Sequence, residues 1–236
     1  MNPKELAIPG THDRVIEALS NVIDLNTHPT VLDVGAGEGA LSKKLASLGA
    51  KVFGCDVDAS MFDVEGIECR EVDAAGGWPY ADASFDLVVA VEVLEHIDGH
   101  EQFFREAARV LKPQGVIFFT TPNIASFKSR FRFLFTGTFY SYPPLVPGVK
   151  NPVRQHIAGF TVNRYEWMLS QHGLSLSHLR TDKWQKSSMA WAFLMPIARL
   201  VTRIRYGTAP WVCLMNATVP CFGRKLFIFA RKVSDD

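Results

Sequence analysis

The chain has 236 residues, 47% of them apolar and 21% charged, with four cysteines and a formal net charge of +1. This length and composition specify a globular domain with a sizeable core and exclude a disordered tail, a disulfide-built miniprotein and a fibrous repeat. The near-neutral total is a cancellation, because residues 1–122 hold nine Lys and Arg against twenty Asp and Glu, whereas residues 123–236 hold sixteen against four. Such asymmetry predicts two surfaces with different partners.

The first ten residues carry Pro3, Lys4, Glu5 and Pro9 and no apolar run, so no secretory signal and a cytoplasmic location are expected. Val15, Ile16, Leu19, Val22 and Ile23 recur at helical spacing and predict an amphipathic helix over 13–25. Short apolar runs at 30–34, 51–55, 67–71, 85–91 and 115–121 read as strands. Helical stretches at 40–48, closed by Gly49, and 100–111, stopped by Pro113, separate some of them. Continuous apolar strands alternating with helices predict a doubly wound α/β domain, its parallel sheet covered on both faces. Further on, a helix with Thr161 as N-cap runs toward Gly173, followed by strands near 174–179 and 225–231. Cys55, Cys69, Cys213 and Cys221 form no C-x-x-C pair and lie near no histidine at ligand spacing, so they read as small apolar residues.

Residues 31–39, Val-Leu-Asp-Val-Gly-Ala-Gly-Glu-Gly, run a strand into a glycine-rich turn at the mouth of a helix, where ligands bind in such sheets. Gly35, Gly37 and Ala40, with Asp56 following, also come close to a dinucleotide fingerprint. Charge separates the two ligands. Glu38 within the loop and Asp33 ahead of it would repel a pyrophosphate by several kcal/mol, on the order of Coulomb repulsion at about 4–6 Å and a dielectric near 20. A cationic ligand turns that repulsion into attraction. S-adenosylmethionine carries an ammonium and a sulfonium, and its ribose hydroxyls suit a carboxylate such as Asp56.

At these residues the chain resembles the class I S-adenosylmethionine-dependent methyltransferases, in particular the group that includes the ubiquinone-pathway O-methyltransferases. The motifs that carry the resemblance are residues 31–39, Gly54-Cys-Asp56-Val57-Asp58, Glu71-Val-Asp73-Ala74, residues 84–97 and Val110-Leu-Lys-Pro-Gln-Gly115. The resemblance implies a Rossmann-like sheet of seven strands with the last antiparallel, forming one domain over 1–236. It also implies S-adenosyl-L-methionine as cofactor, with Asp33, Gly35 and Gly37 at its methionine portion, Asp56 at the ribose, Asp73 and Ala74 at the adenine, Val91 beside the sulfonium, and Ala36 and Val57 as further cofactor-binding residues.

Methyl transfer is an in-line displacement governed largely by positioning, so few dedicated catalytic residues are expected. For a hydroxyl acceptor a general base helps, and His156 is preferred over His96; a structural role for either ring is the competing reading. Glu92-Val-Leu-Glu95-His96 is similar to a stretch associated with a divalent cation in the ubiquinone-pathway enzymes, but related turns exist without metal, and none is assigned here.

Residues 122–160 interleave aromatics with Lys128, Arg130 and Arg132 and predict a lid over the acceptor, bending at Gly137 and Gly148, with a short helix at 124–135. A second insertion, 184–224, holds two uncharged stretches around Arg199, Arg203 and Arg205, and Pro210, Asn216 and Pro220 interrupt the longer one. It is not read as transmembrane. Peripheral contact with an anionic membrane through 187–223, at its inner face, is expected, against a core-completing flap or a dimer contact. The oligomeric state is open. The expected activity is methyl transfer to a small or lipid-linked acceptor, a hydroxyl of a glycan, sugar or polyprenyl quinol. The alternatives are a non-catalytic binding module and a nucleic-acid methyltransferase, the latter disfavoured because no Asn/Asp-Pro-Pro-Tyr signature follows the fourth strand.

Overall fold

The computed structural model describes residues 3–149 and 155–233. Residues 150–154 of the expected lid lie outside the described residues. Seven strands form a single sheet among those described: β1 Thr30–Val34, β2 Lys51–Asp56, β3 Cys69–Glu71, β4 Phe85–Ala90, β5 Leu111–Pro122, β6 Leu174–Thr181 and β7 Lys225–Lys232. Their order is β3-β2-β1-β4-β5-β7-β6. The first five run parallel, and β7 lies antiparallel to both β5 and β6.

Alternation along each strand divides the core into two layers. Val31, Leu87, Val89, Phe118, Phe227 and Phe229 pack with α1 Thr11–Ser20 and α2 Ala40–Ser47 through Val15, Leu19, Leu41 and Leu45. Their strand neighbours Leu32, Val88, Ile117, Phe119 and Ile228 face the other way, onto α3 His100–Val110 and α5 Val162–Ser170. Both faces are covered, which is why the strands read as unbroken apolar runs.

The helices depart from expectation at their ends. α1 starts at Thr11 and stops at Ser20, short of residue 25, because a turn and a short 3-10 segment at Leu25–Thr27 replace its last turn. Thr161 caps α5 by position but makes no side-chain hydrogen bond there. The lid region contains α4 Phe127–Thr136, capped by Ser126, whose hydroxyl accepts from the Ser129 amide at 3.3 Å, and closed by Gly137. The second insertion folds into α6 Lys186–Met189, α7 Met195–Tyr206, α8 Pro210–Leu214 and α9 Thr218–Phe222. No helix among the described residues is long and apolar enough to cross a membrane.

Candidate active site

Sequence and topology meet at the carboxyl end of β1. Strand order reverses between β1 and β4, and the glycine loop opens over that crevice into α2. The loop is held to the end of β2. Cys55 O accepts from the amides of Gly35 at 2.8 Å and Ala36 at 3.1 Å, and the Asp56 carboxylate accepts from the Gly37 amide at 2.8 Å. Gly35 has φ of 72°, and a Cβ there would run into the Val93 side chain; Gly37 has φ of 54°. Glycine is required by both conformation and space.

Behind this loop lies a cavity of about 710 Å³. Gly35, Ala36, Gly37, Asp56, Val57, Asp73, Ala74 and Val91 line it together, eight of the nine positions assigned to the cofactor from sequence. His96 lines it too. Its carboxylates are Glu38, Asp56, Asp58, Asp73 and Glu92, against Lys4 as the one lysine among the described lining residues. Glu92 is already committed, since it forms an ion pair with the buried Lys225. It also takes φ of 58°, an uncommon conformation for a non-glycine residue, at the turn leaving β4. The acidic wall therefore consists of Glu38, Asp56, Asp58 and Asp73, which suits a cation carrying ribose and adenine and opposes a pyrophosphate.

Asp33 departs from the sequence expectation. Its side chain is buried behind the loop, accepts from Ser42 Oγ at 2.6 Å and does not line the cavity. Burial pushes its carboxyl up to about 7, with the nearby Asp56 adding to the rise and the Ser42 hydrogen bond opposing it. Asp33 thus anchors the start of α2 to the end of β1 rather than presenting a full charge to a ligand.

Sequence reasoning missed the N-terminal segment. Lys4, Leu6, Ala7 and His12 line the cavity, and the Lys4 amide donates to Glu38 at 2.6 Å. A short polar stretch without periodicity carries no local signal that it will fold back over a loop more than thirty residues away.

The opposite wall brings together residues distant in sequence. The rings of His96 and His156 meet edge to face with centroids 4.9 Å apart, and Tyr142 approaches His156 at 5.4 Å. The Glu95 carbonyl accepts from the amides of Ile157 and Ala158 at 2.8 and 3.2 Å, fastening the end of the lid. His96 Nδ1 lies 2.9 Å from Gln155 O. His156 Nδ1 is buried without a hydrogen-bond partner, and burial, then His96, lower the pKa of this ring. Glu95 was named within a motif but not assigned as a site residue. It is fully buried, its Oε2 has no partner, and burial pushes its carboxyl up to about 8. One ligand atom from each of Glu95, His96 and His156 falls within 4.8 Å of the others, close enough for one cation. This set differs from Glu92, Glu95 and His96, because Lys225 engages Glu92.

The sheet order with its antiparallel β7, the glycine loop and the acid ending β2 define the class I S-adenosylmethionine-dependent methyltransferase fold. Residues 32–119 match the family described as "Methyltransferase domain". It is 32% identical over 130 residues to a ubiquinone biosynthesis O-methyltransferase of Coxiella burnetii, covering 50% of this chain and 53% of that protein. It is 34% identical over 104 residues to a demethylmenaquinone methyltransferase of Tropheryma whipplei, covering 42% and 44%. The chain spans about half the length of these curated relatives. Among solved structures, phosphoethanolamine N-methyltransferase 2 of Haemonchus contortus, in complex with S-adenosyl-L-methionine, superposes with a TM-score of 0.58 at 15% identity. That match covers 98% of this chain and 54% of that one, and it shows the fold. S-adenosylmethionine is the cofactor of this class, and the acidic, glycine-backed cavity fits it.

Proposed function

We propose that this chain transfers a methyl group from S-adenosylmethionine to a hydroxyl of a small or lipid-linked acceptor, of the polyprenyl quinol, sugar or glycan kind. One observation carries the reading: a single cavity joins the glycine loop, Asp56 and Asp73 to His96, and His156 packs against that ring. Two of the curated relatives are named for quinone chemistry, and one of these for O-methylation, which supports oxygen on a quinol-type ring.

The cavity residues would hold S-adenosylmethionine, which would supply a methyl carbon activated by its sulfonium, the acceptor oxygen displacing S-adenosylhomocysteine. Asp56 would hold the ribose hydroxyls and Asp73 the adenine side, while the glycines of the loop leave room for the cofactor to approach the main chain closely. His156, its pKa lowered by burial and by His96, is neutral near pH 7 and takes the hydroxyl proton. Tyr142 and the Glu95 carbonyl keep the segment bearing His156 against His96. Positioning of both reactants supplies most of the acceleration.

Calorimetric titration with S-adenosylmethionine, followed by mass analysis of demethylated quinols, sugars and glycans incubated with the cofactor, tests the reading. A quinol heavier by one methyl on oxygen supports it. Cofactor binding without transfer to any hydroxyl acceptor overturns the oxygen assignment, and failure to bind the cofactor points to a non-catalytic module.

A further inference from the structure

The second insertion carries a helix that is amphipathic in the reverse sense to α1 and α3. On α7, Ile197, Leu200, Val201 and Ile204 follow the i, i+3, i+4, i+7 pattern that normally marks a buried stripe, yet they are 57 to 77% exposed. The face turned to the protein is the polar one. Buried Asn216 donates to Thr202 Oγ1 at 2.7 Å and its carbonyl accepts from Arg199 at 3.1 Å, while Arg130 from α4 donates to the Asn216 side chain at 2.7 Å. These bonds fix the orientation of α7. Its apolar stripe is turned outward by specific contacts rather than by a loosely packed helix.

Exposed aromatics extend this surface. Phe193, just before α7, approaches Trp191 with ring centroids 5.9 Å apart, and Trp191 lies 4.3 Å from Phe131 on α4, whose end exposes Leu134 and Phe135. Arg203 and Arg205 lie two residues apart and so flank the stripe on its two sides. Residues 183–224 hold six Lys and Arg and no Asp or Glu.

We propose that α7 and the aromatics beside it dock on an anionic membrane surface, with Ile197, Leu200, Val201 and Ile204 sunk among the acyl chains and Arg203 and Arg205 at the lipid phosphates. Charge complementarity selects this occupant. A second copy meeting the same face about a two-fold axis would bring the basic flanks of both copies together, with no Asp or Glu anywhere in residues 183–224 to compensate. An anionic interface accepts both the apolar stripe and its basic flanks. The inference is independent of the proposed methyl transfer.

Flotation of the full chain with vesicles of phosphatidylcholine alone, or mixed with phosphatidylglycerol, tests it. The chain is expected to float with the mixed vesicles, less at high salt and little with phosphatidylcholine alone. Leu200→Asp with Ile204→Asp, and separately Arg203→Glu with Arg205→Glu, are expected to cut the floated fraction about tenfold or more. Because these side chains are exposed, thermal melting and cofactor affinity should stay unchanged, separating loss of docking from loss of fold. Absence of flotation by the full chain overturns the proposal, as does undiminished flotation of both variants. A dimer in sedimentation that Leu200→Asp dissociates, with no flotation, would assign the face to a second copy.

Discussion

His96 and His156 meet edge to face, 4.9 Å between ring centroids, although one follows β4 and the other lies at the return of the lid. The pairing places an imidazole of lowered pKa beside a ring that itself lines the cofactor cavity. It also ties the segment bearing His156 to the turn bearing His96, since the carbonyl of Glu95, adjacent to His96, accepts from the amides of Ile157 and Ala158 that follow His156.

His156→Asn is therefore expected to lower kcat by about a hundredfold to ten-thousandfold while leaving cofactor affinity unchanged. Below neutrality, protonation of His156 removes the base, so wild-type kcat falls as pH drops through a value under 6.5. Steady-state profiles should show that limb in the wild type and not in the variant. Activity with a chelator present checks whether Glu95, His96 and His156 hold a cation: full retention is expected, and a loss restored by a divalent metal would assign one to them.

Gly35→Ala adds a Cβ against Val93 in a left-handed conformation. We expect a loss of about 1–2 kcal/mol in stability from the backbone alone. Cofactor affinity should fall further, because the loop must shift to relieve the clash. Chemical denaturation and calorimetry would measure the two effects, and an unchanged dissociation constant would show that this loop does not shape the cofactor site.

Asp33 makes a pH signature. Its carboxyl is raised from 3.8 to about 7 in the folded protein, so between those values the unfolded chain has lost a proton that the folded chain keeps. Stability contributed by the protonated, buried form is complete below 3.8 and declines as pH rises toward 7, by up to about 4 kcal/mol. Asp33→Asn, which keeps an acceptor for Ser42, should flatten that slope in urea melts taken across the window.

Deletion of residues 3–9 should raise the cofactor dissociation constant several-fold without unfolding the sheet. Leu6 and Lys4 line the cavity, and the Lys4 amide binds Glu38, whereas this segment contributes nothing to the two layers packed on the sheet. Equilibrium dialysis on the shortened chain would check this, and unchanged affinity would make the segment a bystander.

The strands, the glycine loop and the acids at the ends of β2 and β3 are legible in the sequence because each is a local pattern. Unbroken apolar runs imply cover on both faces, and glycines between a strand and a helix imply close ligand approach. Helix ends are less legible: the turn that replaces the end of α1 reflects how residues 21–27 pack, not their periodicity. By itself the sequence thus determined the class of sheet, most of the residues that gather around the cavity at the end of β1 and the basic, apolar character of the second half. Tertiary structure alone decided that Asp33 turns inward to Ser42, that Lys225 engages Glu92, that Lys4 and Leu6 reach the glycine loop and that the apolar stripe of α7 faces outward. Periodicity records that a residue has an apolar or polar environment, whereas the identity of a partner far along the chain depends on which faces the completed sheet brings together.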